Sequence, residues 1–94
     1  MEELINEILY YNLPDDIEMI ACFEAEYDIK LICGYKIDVV TFTMYFIATK
    51  IRMFFLVCVD NDESIYDDIL ARIDAKDGFE KVVEWMQYQA TKRQ

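Results

Sequence analysis

The chain has 94 residues, 55% hydrophobic and 15% aromatic, with 19 Asp and Glu against 9 Lys and Arg and a formal net charge of −10. That length sets one compact domain over 1–94, and so apolar a chain is no disordered acidic tail. The charge argues against direct binding to nucleic acid or an anionic membrane, where attraction to phosphate dominates. The absence of His and the presence of only two Gly argue against a His-dependent triad, a His metal site or a glycine-rich phosphate loop.

Residues 2–12 read as a helix with Leu4, Ile5, Ile8 and Leu9 on one face and Glu3 and Glu7 pointing away. Pro14 ends it, because the residue before a proline is pushed out of the α region. From Ile17 the period becomes two: Ile17, Met19, Ala21, Phe23, Ala25 and Tyr27 fall on one side of a strand, and Glu18, Glu24 and Glu26 on the other, with Ile20 and Cys22 between them. A second strand over 29–35 places Ile29, Leu31, Cys33 and Tyr35 together. A third over 38–48 alternates Val40, Phe42, Met44 and Phe46 against Val39, Thr41, Thr43, Tyr45 and Ile47. The fourth, over 51–59, is apolar on both faces, with Ile51, Met53, Phe55 and Val57 against Phe54, Leu56 and Cys58, so it belongs in the centre of a sheet or under two covers.

Two helices are expected to close the chain. Asp60 and Glu63 have capping-box spacing ahead of an apolar face of Ile65, Ile69, Leu70 and Ile73; Asp77 and Glu80 repeat it ahead of Phe79, Val82, Val83 and Met86. The expected fold class is α+β: a four-stranded, mainly antiparallel sheet with one N-terminal and two C-terminal helices, in the order α-β-β-β-β-α-α. Helices covering one face leave the other with Ile20, Val39, Tyr45, Ile47, Phe54 and Leu56, an apolar patch unusual on a monomer, and a homodimer is expected.

Cys22, Cys33 and Cys58 lie in apolar runs with no CxxC spacing, which points to buried thiols rather than a disulfide framework, and to a reducing, cytoplasmic setting. The acidic Met-Glu-Glu-Leu start lacks the basic region of a secretion signal, and the uncharged run 39–49 is too short to span a bilayer.

Charge is uneven along the chain. Residues 1–28 hold nine acidic residues and no basic one, whereas 29–59 hold only Asp38 against Lys30, Lys36, Lys50 and Arg52. Carboxylates at caps and in first helical turns have a structural use there. Beyond those, Glu24, Glu26 and Asp28 are read as a row on one strand face, with Glu18 before them. Glu63, Asp67 and Asp74 are read as a stripe on the outer side of the fifth element, with Asp68 beside it, and Asp15 and Asp16 as a negative corner. Repulsion left uncompensated on ordered elements suggests that the field itself has a use.

In size, charge and acidic rows on an α+β scaffold, the chain resembles the small acidic DNA-mimic inhibitors of phages and mobile elements. That resemblance implies a partner that is a basic nucleic-acid-binding protein of the host, and a site in the host cytoplasm. A carboxylate array imitates the backbone but not the base-edge code, so sequence-independent binders such as histone-like nucleoid proteins come first, then polymerases, nucleases and CRISPR effectors. The expected contacts are Asp15, Asp16, Glu18, Glu24, Glu26, Asp28, Glu63, Asp67 and Asp68, with Tyr10 and Tyr66 as aromatic anchors. An immunity or antitoxin protein plugging a basic active site would use the same residues, and an adaptor whose acidity only aids solvation is a third reading. An enzyme is not expected, since Asp15/Asp16 and Asp67/Asp68 are sequence neighbours that point apart. The Asp60-Asn61-Asp62-Glu63 run lacks the glycine and final glutamate of a calcium loop, so no metal or cofactor is expected.

Overall fold

The structure is a computed structural model and describes residues 2–60 and 70–93. The elements are α1 (Glu2–Leu9), β1 (Ile17–Glu24), β2 (Ile29–Ile37), β3 (Val40–Ala48), β4 (Met53–Val59), β5 (Leu70–Asp74), a 3-10 turn at Ala75–Asp77 and α2 (Phe79–Lys92). The architecture is α+β. The sheet has five strands in the order β1-β2-β3-β4-β5, each antiparallel to the next.

Alternation places the core as the sequence anticipates. Leu31, Cys33 and Tyr35 of β2, Val40, Phe42, Met44 and Phe46 of β3, and Phe55 and Val57 of β4 are all buried on one face. Both helices cover that face. Ile8 of α1 joins the same core, as do Phe79, Val82, Val83 and Met86 of α2. Ring contacts seat α2: Phe79 lies 5.8 Å from Phe55 and 6.0 Å from Tyr35, and Trp85 lies 6.2 Å edge-on to Phe42.

Three expectations change. The helix expected to contain Leu70 and Ile73 is instead strand β5 over Leu70–Asp74, paired with β4 from Phe54↔Asp74 to Cys58↔Leu70; residues 61–69, with Ile65 and Ile69, lie outside the described part. The physical reason lies in β4. A strand apolar on both faces carries two rows of backbone polar groups that need partners away from water, and β5 supplies the second row.

The second change is in β1. Its register against β2 shifts between Met19 and Ala21, so Ile20 is an extra residue. A bulge of this kind inverts the alternation beyond it. Ile17 and Met19 face the helices, but then Cys22 and Glu24 take that side, while Ala21 and Phe23 turn to the other, where Phe23 is 57% exposed. Cys22 thereby stands directly opposite Cys33 and forms a disulfide with it, against the expectation of unpaired thiols.

The third change concerns caps and ends. Asp77 does not cap α2. It belongs to the 3-10 turn, which Asp74 caps by accepting from Lys76 N at 2.9 Å. Asp60 instead accepts a hydrogen bond from the Thr43 hydroxyl, and its own N–H continues the ladder to Thr41 O at 2.9 Å. Val39 sits in the β2–β3 turn beside Asp38, whose φ is 54°. Gly78 is the N-cap of α2, at φ 88° and ψ 156°. That region is essentially restricted to glycine. A Cβ at Gly78 would meet nothing closer than Glu80 Cγ at 3.9 Å, so space is not what forbids a side chain. Gly78→Ala is therefore expected to cost about 2 kcal/mol through backbone strain alone, read as a lower urea midpoint with unchanged slope.

Candidate functional site

The expected acidic contacts do not form one row. Glu18 lies on the sheet face away from α1 and α2, opposite Lys36, whereas Glu24, beyond the bulge, lines a groove with Glu2, Ile5, Asn6 and Leu9 of α1. Glu26 and Asp28 leave the strand altogether and sit in the β1–β2 turn, where Tyr27 has φ 64° and Lys30 Nζ donates to Tyr27 O at 2.7 Å. A row along one strand face is thus replaced by carboxylates on two sides of the sheet and at its end. Glu63, Asp67 and Asp68, with Tyr66, fall outside the described residues. Tyr10, just past α1, is 81% exposed.

What the structure does gather is a carboxylate cluster on the helical layer. Burial first, then the charges of Glu80, Glu7 and Glu84, hold the Tyr11 hydroxyl above its ordinary pKa. Glu7 comes from α1, and its Oε1 accepts from the backbone N–H of Phe79 at 3.4 Å, which places a carboxylate at the positive end of α2. Glu80 and Glu84 are one turn apart on α2, about 6 Å along its axis. Asp16 joins them from the loop before β1, accepting from Gln87 Nε2 at 3.3 Å, with Asp15 exposed beside it. Glu2 and Glu3 lie in the first turn of α1, Glu2 in the groove that Glu24 lines.

Cations stand mostly apart from this cluster. Lys81 makes an exposed pair with Glu84 at 3.4 Å, worth little in water. Lys92, whose ammonium lies 5.3 Å from the Tyr88 ring centroid, is three turns beyond Glu80, about 18 Å along the helix. That exceeds a Debye length at physiological salt, so it does not neutralise the acidic end. The signal for this cluster was in the sequence as Glu3/Glu7 and Glu80/Glu84, two i,i+4 acidic pairs on opposite faces to the apolar stripes. That the two pairs converge depends on α1 and α2 sharing one face of the sheet, which no local pattern states.

Elsewhere, Arg52, Phe54, Arg72, Asp74 and Asp77 border a hollow at the β4–β5 edge, with the Arg72 guanidinium 5.5 Å over the Phe54 ring. Among the described residues no group of three His, Cys, Asp or Glu is placed to hold a metal ion, and no helix is long and apolar enough to cross a membrane. What the described residues offer at this place is a group of carboxylates contributed by α1, α2 and the loop before β1. Comparison with protein-family models, with curated proteins and with solved structures finds no match to this chain.

Proposed function

We propose that the chain is an acidic DNA-mimic inhibitor whose helical-layer carboxylates occupy the basic DNA-binding surface of a protein that reads the phosphate backbone rather than the bases. The observation that carries this reading is the meeting of carboxylates from separate elements: Glu7 Oε1 accepts from the Phe79 N–H, next to Glu80 on α2, and Asp16 is tied to α2 through Gln87. Carboxylates on rigid helices a few ångströms apart offer a basic groove the charge spacing of a phosphate array at no cost of ordering. Sequence-independent binders such as histone-like nucleoid proteins are the favoured partner class, because an array without base edges competes only for backbone contacts.

The test is displacement of a fluorescent duplex from a histone-like nucleoid protein by the added chain. Displacement is expected at low salt and should weaken as salt rises. The variant Asp15→Lys/Glu80→Lys/Glu84→Lys leaves Glu7, the partner of the Phe79 N–H, in place. It removes three attractions and adds three repulsions of about 0.5 kcal/mol each, about 3 kcal/mol or a hundredfold loss of potency. Undiminished displacement by the folded variant, or none by the natural chain at low salt, would overturn the reading.

A further inference from the structure

The second face of the sheet carries a row that crosses all five strands in register: Phe23, Ile32, Tyr45, Leu56 and Arg72. No described helix lies over it, and both Phe23 and the nearby Ile20 are more than half exposed, at 57% and 54%. We infer that this face is the contact surface for a second copy of the chain, packed sheet to sheet about a two-fold axis that runs along β3.

Charge is the first reason. At the paired positions of this face Glu18 and Asp74 stand against Lys36 and Arg72, with Lys30 at the β2 bulge and Arg52 and Asp77 beside Phe54 and Arg72, so the face carries none of the excess negative charge of a chain that stands at −10. Two copies approaching by their helical layers would set carboxylates against carboxylates; approaching by this face they do not. A basic partner, conversely, gains nothing here that the helical layer does not offer more strongly.

The strand order supplies the second reason. β3 is the middle strand, so a two-fold axis along it lays β1 of one copy over β5 of the other. The transverse row then meets itself reversed. Tyr45 faces its own counterpart, Ile32 faces Leu56, and the Phe23 ring faces the Arg72 guanidinium, a cation over an aromatic face. Among the described residues Arg72 makes no ion pair; its guanidinium already lies 5.5 Å over the Phe54 ring of its own chain, so the partner's ring would be a second aromatic face on it. An axis across the strands would instead set Arg72 on Arg72. The row is self-complementary only in the first arrangement, which is what an isologous dimer requires.

Area is the third. Five strands at about 4.8 Å spacing and about 25 Å long present about 600 Å² in projection, and more once side-chain relief is counted. That is on the scale of the roughly 800 Å² each partner contributes to a standard interface. The dimer carries both acidic helical layers outward, on opposite sides.

Sedimentation equilibrium of the intact chain at micromolar concentration is expected to give twice the chain mass, and to keep it in high salt, where the helical layer's contacts with a basic protein fade. Tyr45→Lys and Tyr45→Glu, each checked for an unchanged circular dichroism spectrum, are expected to sediment as monomers when alone and as one dimer when mixed. A natural chain that is monomeric overturns the inference: a monomer that lights a hydrophobic dye assigns the face to a different protein, and one that does not assigns it to the chain's own remaining residues. Dimers that survive both substitutions, or variants that stay monomeric when mixed, overturn it as well. Neither substitution touches the acidic cluster, so duplex displacement by these monomers reports on that reading separately.

Discussion

Phe79→Ala is expected to remove about 3–5 kcal/mol of stability, the range for truncating a buried aromatic ring. A domain of this length has about 5–14 kcal/mol in total, so the loss leaves a marginal fold. The size of the effect comes from position. Phe79 is fully buried and its ring meets Tyr11 at 5.1 Å, Phe55 at 5.8 Å and Tyr35 at 6.0 Å, so one side chain joins the segment after α1, α2 and two strands. Two of those contacts are edge-on, at 69° and 74°, the arrangement that aromatic quadrupoles favour. The Tyr35 hydroxyl is buried and has no hydrogen-bond partner among the described residues, and burial drives its pKa up. Urea denaturation followed by circular dichroism measures the loss. Phe79→Leu, which keeps most of the volume, should cost under about 1.5 kcal/mol and separates filling from ring geometry. Equal losses from both variants would place the stabilisation elsewhere.

Reducing the Cys22–Cys33 bond is expected to lower stability by about 3 kcal/mol, the chain-entropy value for a loop of this size. The two residues are separated by 11 in sequence, and the bond joins the edge strand β1 to β2 just past the bulge. Thermal melts with and without reductant should differ, and Cys22→Ala/Cys33→Ala should melt alike in both. Under denaturant the oxidised chain should show one reactive thiol, Cys58, and the reduced chain three. Three reactive thiols without reductant would remove the bond from the account.

The elements that could be read from sequence are those whose pattern is decided within the element. α2 shows its apolar stripe at helical spacing, and Phe79, Val82, Val83 and Met86 are among the residues it buries. The alternation of β3 likewise survives intact, with Val40, Phe42, Met44 and Phe46 inside. β1 fails the same test because its extra residue, Ile20, is apolar: an insertion among Met19, Ile20, Ala21 and Cys22 changes no hydrophobic count, and only pairing with β2 reveals the phase change. The cross-strand disulfide and the turning of Glu24 to the helical side both follow from that one residue, while Glu26 and Asp28 are set apart by the β1–β2 turn. β5 was hidden for another reason. Its five residues continue an apparent helical face through Ile69, Leu70 and Ile73, and what makes them a strand is the unpaired edge of β4, which is distant information.

Each strand pairs with the strand that follows it, so every sheet contact is made across a hairpin or a single connection. The contact of α1 with α2 is different in kind: Glu7 reaches Phe79 across 72 residues. Loop-closure entropy grows with the length enclosed, so the sheet can zip up by local steps while the two helices must wait for it. The acidic cluster is assembled from both helices and therefore exists only once the last and longest closure is complete. A nascent or partly unfolded chain would carry the same −10 but not the same pattern. The meander thus makes the organised field a property of the finished fold, which charge alone, without folding, would not reproduce.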